Sequence, residues 1–136
     1  MPLSLRCIPP IALGLLLTGC SDSTGASGDT PVIASMKADL TALLTAQDAF
    51  YVGNADYAGT ITSGPTSGGV GGTGHVHFAV SGQNVLVLTY IDANGWSSEM
   101  INPLAVGTPS QCGLYVGVPA NSPNAAVTQG RTVACW

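Results

Sequence analysis

The pair Thr30-Pro31, followed by apolar residues at helical spacing, constrains this chain more than any other feature. Threonine is a strong N-cap and proline suits the first helical position, so together they fix where a helix begins. Ile33, Met36, Leu40, Leu43, Leu44, Phe50 and Tyr51 then follow spacings of three and four, interrupted at Gln47. Lys37, Asp39, Thr41 and Asp48 fall mainly elsewhere on the wheel. The pattern predicts one amphipathic helix of about 22 residues, stopped at Gly53 by a left-handed cap. One apolar stripe needs one partner surface, which the rest of the chain must supply.

Downstream the period changes to two. From His75 to Ser81, Val76, Phe78 and Val80 share one side of an extended segment, and His75, His77, Ala79 and Ser81 the other. Gly82-Gln83-Asn84 turns into a strand over Val85–Ile91, and Asp92-Ala93-Asn94-Gly95 into a second over Trp96–Ile101. Further loops lead to strands over Cys112–Val118 and Arg131–Trp136. The expected class is α+β: one long N-terminal amphipathic helix packed on an antiparallel β-sheet meander. The glycine-rich run 64–74 lacks the Lys-Ser/Thr of a phosphate loop and does not open a helix, which argues against phosphate binding.

The first residues read differently. MPLSLRCIPPIALGLLLTGC has a short region bearing Arg6 and an apolar run from Ile8 to Leu17, the layout of a signal peptide over 1–19. Leu17-Thr18-Gly19-Cys20 resembles a bacterial lipobox, which implies cleavage before Cys20, acylation of that cysteine with palmitate-type chains, and a membrane anchor. The small polar run 21–29 serves as a tether of roughly 15–18 Å, leaving 30–136 as the domain. Such an anchor places the chain at the bacterial cell envelope, and Ser21 directly after the cysteine favours the outer membrane or cell surface over the inner membrane. With Cys7 in the signal and Cys20 acylated, Cys112 and Cys135 remain, a pair expected to form a disulfide in an exported chain. A zinc site is the alternative for two cysteines, but no CxxC or adjacent histidine pair accompanies them.

Charge narrows the partners. After residue 20 only Lys37 and Arg131 face seven acidic residues, a net charge of −5, and two separated cations cannot track a phosphate backbone, so nucleic acid is excluded as a partner. There is no GxSxG, Glu99 is the only glutamate, and Asp92 is placed to cap a turn, so no nucleophile or carboxylate pair is indicated. The reading is a non-enzyme with no cofactor and no small-molecule substrate. His75 and His77 stand about 7 Å apart on one side of an extended segment and could ligate a metal if a third ligand arrived. Trp96, just past the Asn94-Gly95 turn, is either a core residue or a surface aromatic for sugar contacts.

Four stretches carry a family resemblance: KADLTALLTAQDAFYVGNADYAG, VLVLTYIDANGWSSEM, QCGLYVG and VACW, in that order. Together they resemble the globular heads of bacterial type IV pilin-like proteins, over roughly residues 34–136. In that family a helix packs on an antiparallel sheet, and two cysteines near the carboxyl end close a loop that is often the partner-facing part. The resemblance implies a structural or interaction domain with a protein partner at the envelope. Its contact surface would be the sheet face away from the helix, with the loops 102–111 and 117–130. Phe50, Tyr51 and Tyr57 would pack at the corner where the helix ends. The chain departs from the family in lacking the basic leader and the long apolar stalk helix through which pilins polymerise; the lipobox and tether stand in their place. The alternative function is a metal-binding or sensing lipoprotein using His75 and His77.

Overall fold

A computed structural model describes residues 30–61, 66–67 and 74–136. Cys20, the tether and most of the glycine-rich run lie outside the described residues.

The helix α1 runs Pro31–Asn54. Thr30 caps it as expected, its hydroxyl oxygen accepting from the Ile33 amide at 3.3 Å with Pro31 in the first turn. Its end differs from expectation: Gly53 stays helical, and Ala55 takes the left-handed conformation (φ 52°) while its N–H bonds the Tyr51 carbonyl. A tertiary hold sets this end. Gln47 donates to the Ala58 carbonyl and accepts from the Ala58 N–H, both at 2.9 Å, so the chain must double back along the helix there. Gln47 is therefore a fully buried clamp on the apolar face rather than an interruption of it. Asp39 also lies on the buried side, contrary to the wheel.

Three short strands follow: β1 Thr60–Ile61, β2 Thr66–Ser67 and β3 His75–Val76, with β1 and β3 pairing in parallel. Next come β4 Val85–Asp92, β5 Gly95–Ile101, β6 Gln111–Val116 and β7 Ala134–Cys135, which form a four-strand antiparallel sheet in that order. β2 adds in parallel to the outer edge of β4 beside Leu86 and Val87. The expected alternation over 75–81 holds in burial, with Phe78 inside and His75, His77 and Ala79 outside. Only His75–Val76 joins a ladder, however. The Ser81 N–H bonds the Asp39 carboxylate at 2.7 Å instead of a neighbouring strand, so this segment crosses the helix. The final strand is shortened to Ala134–Cys135 because Arg131 turns left-handed (φ 62°) and gives its N–H to the Tyr115 carbonyl.

The helix covers one sheet face. Ile33, Met36, Leu40 and Leu43 pack with Leu86, Leu88, Trp96, Met100, Leu114 and Val116 in a single core. Cys112 and Cys135 are direct partners across β6 and β7 and form a disulfide. A disulfide persists in oxidising compartments, which points to an extracytoplasmic domain. Among the described residues no helix is long and apolar enough to cross a membrane.

Candidate functional site

The other sheet face is not bare. Ser97 and Tyr115 are direct partners across β5 and β6, one residue out of phase with the core residues Trp96 and Leu114, so they point away from the helix. Both are nonetheless buried, as is Val127. The chain after β6 folds back over them through a short 3-10 turn, Pro119–Asn121, and is held there by its own bonds. The Ser122 hydroxyl donates toward the carbonyls of Asn124 and Val127, at 2.8 and 2.9 Å, and the Tyr115 hydroxyl reaches Thr128. Gly113 makes room for this cover: a Cβ there would stand 3.0 Å from both the Pro123 ring and the Trp136 indole. The surface expected to meet a partner is thus largely covered by the 117–130 segment. Apolar exposure falls at the end of the helix, on Tyr51 and Val52, and on the loops at Leu104, Val106 and Val118.

One part of this face stays open. Between Leu88 and Tyr90 the pairing of β4 with β5 shifts by a residue, so Thr89 and Tyr90 both stand opposite Ser97. A bulge of this kind re-aims side chains that a regular ladder would send to opposite faces. The result is a cleft of about 290 Å³ between the bulge and the 3-10 turn, lined chiefly by Thr89, Tyr90, Ser97, Asn121, Ser122 and Pro123. Its polar groups are held in place. The hydroxyls of Thr89 and Ser97 bond each other at 2.8 Å, and the Tyr90 hydroxyl donates to the Asp92 carboxylate at 2.5 Å. That bond is the largest cause of a raised Tyr90 pKa, and it holds the Asp92 carboxyl below its ordinary value, aided by the Asn94 amide. Asn121 stands on the facing wall, on the 3-10 turn.

Compared with protein-family models, curated proteins and solved structures, the chain matches none.

The remaining candidates scatter. His75 and His77 come together edge to face, with ring centroids 5.7 Å apart. No group of three or more metal-ligating side chains occurs among the described residues, so the pair has no third ligand there. Trp96 is wholly buried in the core, and a ring with no exposed face cannot stack on a sugar; the surface-aromatic reading is corrected accordingly. At the end of the helix Tyr57 is buried and stacks on the more exposed Tyr51 at 4.6 Å, as expected of packing residues. Arg131 pairs with Asp48 beside them, tying the C-terminal cover to the helix. That pairing raises the Arg131 pKa, and burial raises that of Tyr57.

The cleft escapes sequence reasoning because it depends on the bulge. The available signal was the run Val85–Ile91, where Thr89-Tyr90 breaks the order of an otherwise apolar strand.

Proposed function

We propose that this chain is a lipid-anchored, exported interaction domain, resembling the head of a type IV pilin without the stalk helix that polymerises. The observation that carries the reading is one 24-residue helix lying along an antiparallel meander whose last strand is closed by a disulfide. The Leu17-Thr18-Gly19-Cys20 signal and the polar tether before the helix support the anchor. In place of a filament-forming stalk, the acylated Cys20 would hold the domain at the cell envelope, on the outer membrane or cell surface. The loops bearing Leu104, Val106 and Val118 would meet a protein partner, their exposed apolar side chains gaining from burial.

The test is the intact mass of the protein purified from its native membranes, before and after reduction. A chain that starts at Cys20, carries acyl groups and gains two hydrogens on reduction is the expected result; an unacylated chain removes the anchor. A second reading, a metal-binding or sensing lipoprotein, rests on the juxtaposed His75 and His77. Zinc titration by calorimetry separates the two, since an absence of heat eliminates it.

A further inference from the structure

We propose that the cleft between the β4 bulge and the Pro119–Asn121 turn binds a single ring of a neutral saccharide. The inference stands apart from the anchor and the partner-facing loops, and it rests on size, charge and hydrogen-bonding capacity.

Ligand pockets run from about 300 to 1,000 Å³. At about 290 Å³ this one lies at the small end, room for one ring rather than a chain. No cation lines it, and its Tyr90 hydroxyl is bonded to the Asp92 carboxylate, which disfavours a phosphate or carboxylate ligand. The lining residues bring hydroxyl, amide and phenol groups, with the Ala120 methyl and the Pro123 ring as apolar surface, which suits an uncharged ligand with several hydroxyls.

The unused capacity is specific. The Thr89 hydroxyl, on an exposed residue, bonds Ser97 once and keeps hydrogen-bonding capacity for a ligand. Ser97 is fully buried, so this pair is part of the built structure rather than a loose surface group. The Asn121 amide on the facing wall carries an acceptor oxygen and N–H donors, and a side-chain amide can engage two neighbouring hydroxyls at once. The Tyr90 phenol, held at its tip by Asp92, supplies a half-buried aromatic ring, and the Pro123 ring a second apolar wall. Polar groups fixed before the ligand arrives spare it the ordering cost that weakens binding to loose side chains. This moves the sugar-contact role from the buried Trp96 to Tyr90 on the neighbouring strand.

The experiment is amide-resolved NMR of the full chain in a detergent whose headgroup is not a sugar. Glucose, galactose, mannose and N-acetylglucosamine are titrated separately, with inorganic phosphate and N-acetylglycine methylamide as anionic and peptide-like probes. The expected result is saturable shifts at the amides of Thr89, Tyr90, Ser97, Asn121 and Ser122 with at least one sugar, and none with phosphate. Thr89→Val and Asn121→Ala, each removing polar capacity near the surface, should weaken that binding about five- to tenfold, the effect of one lost hydrogen bond. Asn121→Ala should melt near the unaltered chain, whereas Thr89→Val leaves the buried Ser97 hydroxyl unpaired and should melt lower while still folding. No saturable shift with any sugar overturns the proposal. So does binding of phosphate or the amide in preference to the sugars, or sugar shifts that survive both substitutions unchanged.

Discussion

Asp39→Ala should be among the most damaging polar substitutions in the domain. The Asp39 carboxylate is buried at the middle of α1 and has three donors: the Ser81 amide and hydroxyl and the Asn84 side chain, each at 2.7 Å. Asn84 is itself fully buried, bonds Ser35 at 3.0 Å, and accepts from Asn102 at 2.6 Å. One carboxylate thereby pins the 81–84 turn, and through it the start of β4 and the end of β5, to the helix. Hydrogen bonds to a charged group contribute about 1.5–3 kcal/mol each, but not all three are lost in full. Ser81 is exposed, so its amide and hydroxyl regain water. Asn84 stays dry with only Ser35 left to receive its side-chain protons. The net loss comes to about 2–4 kcal/mol, a fall of roughly 10–20 °C in melting temperature for a domain of this size. Asp39→Asn keeps one acceptor oxygen and the shape, and should cost about half as much. Scanning calorimetry at neutral pH with the disulfide intact reads both. If Asp39→Ala melts within about 3 °C of the unaltered chain, or Asp39→Asn falls as far as Asp39→Ala, the carboxylate is not the anchor described.

Two further outcomes follow from the same structure. Replacing Cys112 and Cys135 by serine opens a loop with a sequence separation of 23, which the chain-entropy estimate values at about 3 kcal/mol; an unchanged melting temperature would show that the bridge adds nothing to the packing of β7. Burial raises the Glu99 pKa, so the folded state holds this proton to a higher pH than the unfolded chain does. Stability from this group is complete below the ordinary carboxylate range and is lost as pH rises through the raised value. Glu99→Gln should therefore match the unaltered chain near pH 4 and exceed it at pH 7 in urea unfolding; equal stability at both would contradict the assignment.

Local signals in the sequence were reliable where local chemistry decides. Thr30-Pro31 starts the helix, and Asp92 to Gly95 closes a hairpin whose Asp92 side chain accepts from the Asn94 amide. The cysteine pair forms the disulfide. The misses share one cause, a partner distant in the chain. Gln47 reads as a break in the stripe until Ala58 is placed beside it, and Asp39 reads as outward-facing until Ser81 and Asn84 arrive. Gly53, with open space around it, was the natural stop, yet the clamp at Ala58 moved the end of the helix to Ala55. The cleft was hidden because the break at Thr89-Tyr90 in the apolar run does not by itself reveal the register shift that the neighbouring strand imposes there.

The bridge between β6 and β7 also has a mechanical consequence. Cys112 and Cys135 stand side by side although they are separated by 23 in sequence. A pull on the two ends of the domain passes directly from one cysteine to the other and never loads the backbone in between. At about 3.5 Å per extended residue, some 75–80 Å of chain is withheld from stretching. The segment that covers the far sheet face, and forms one wall of the cleft, therefore keeps its closed loop while the helix and the first strands bear the tension.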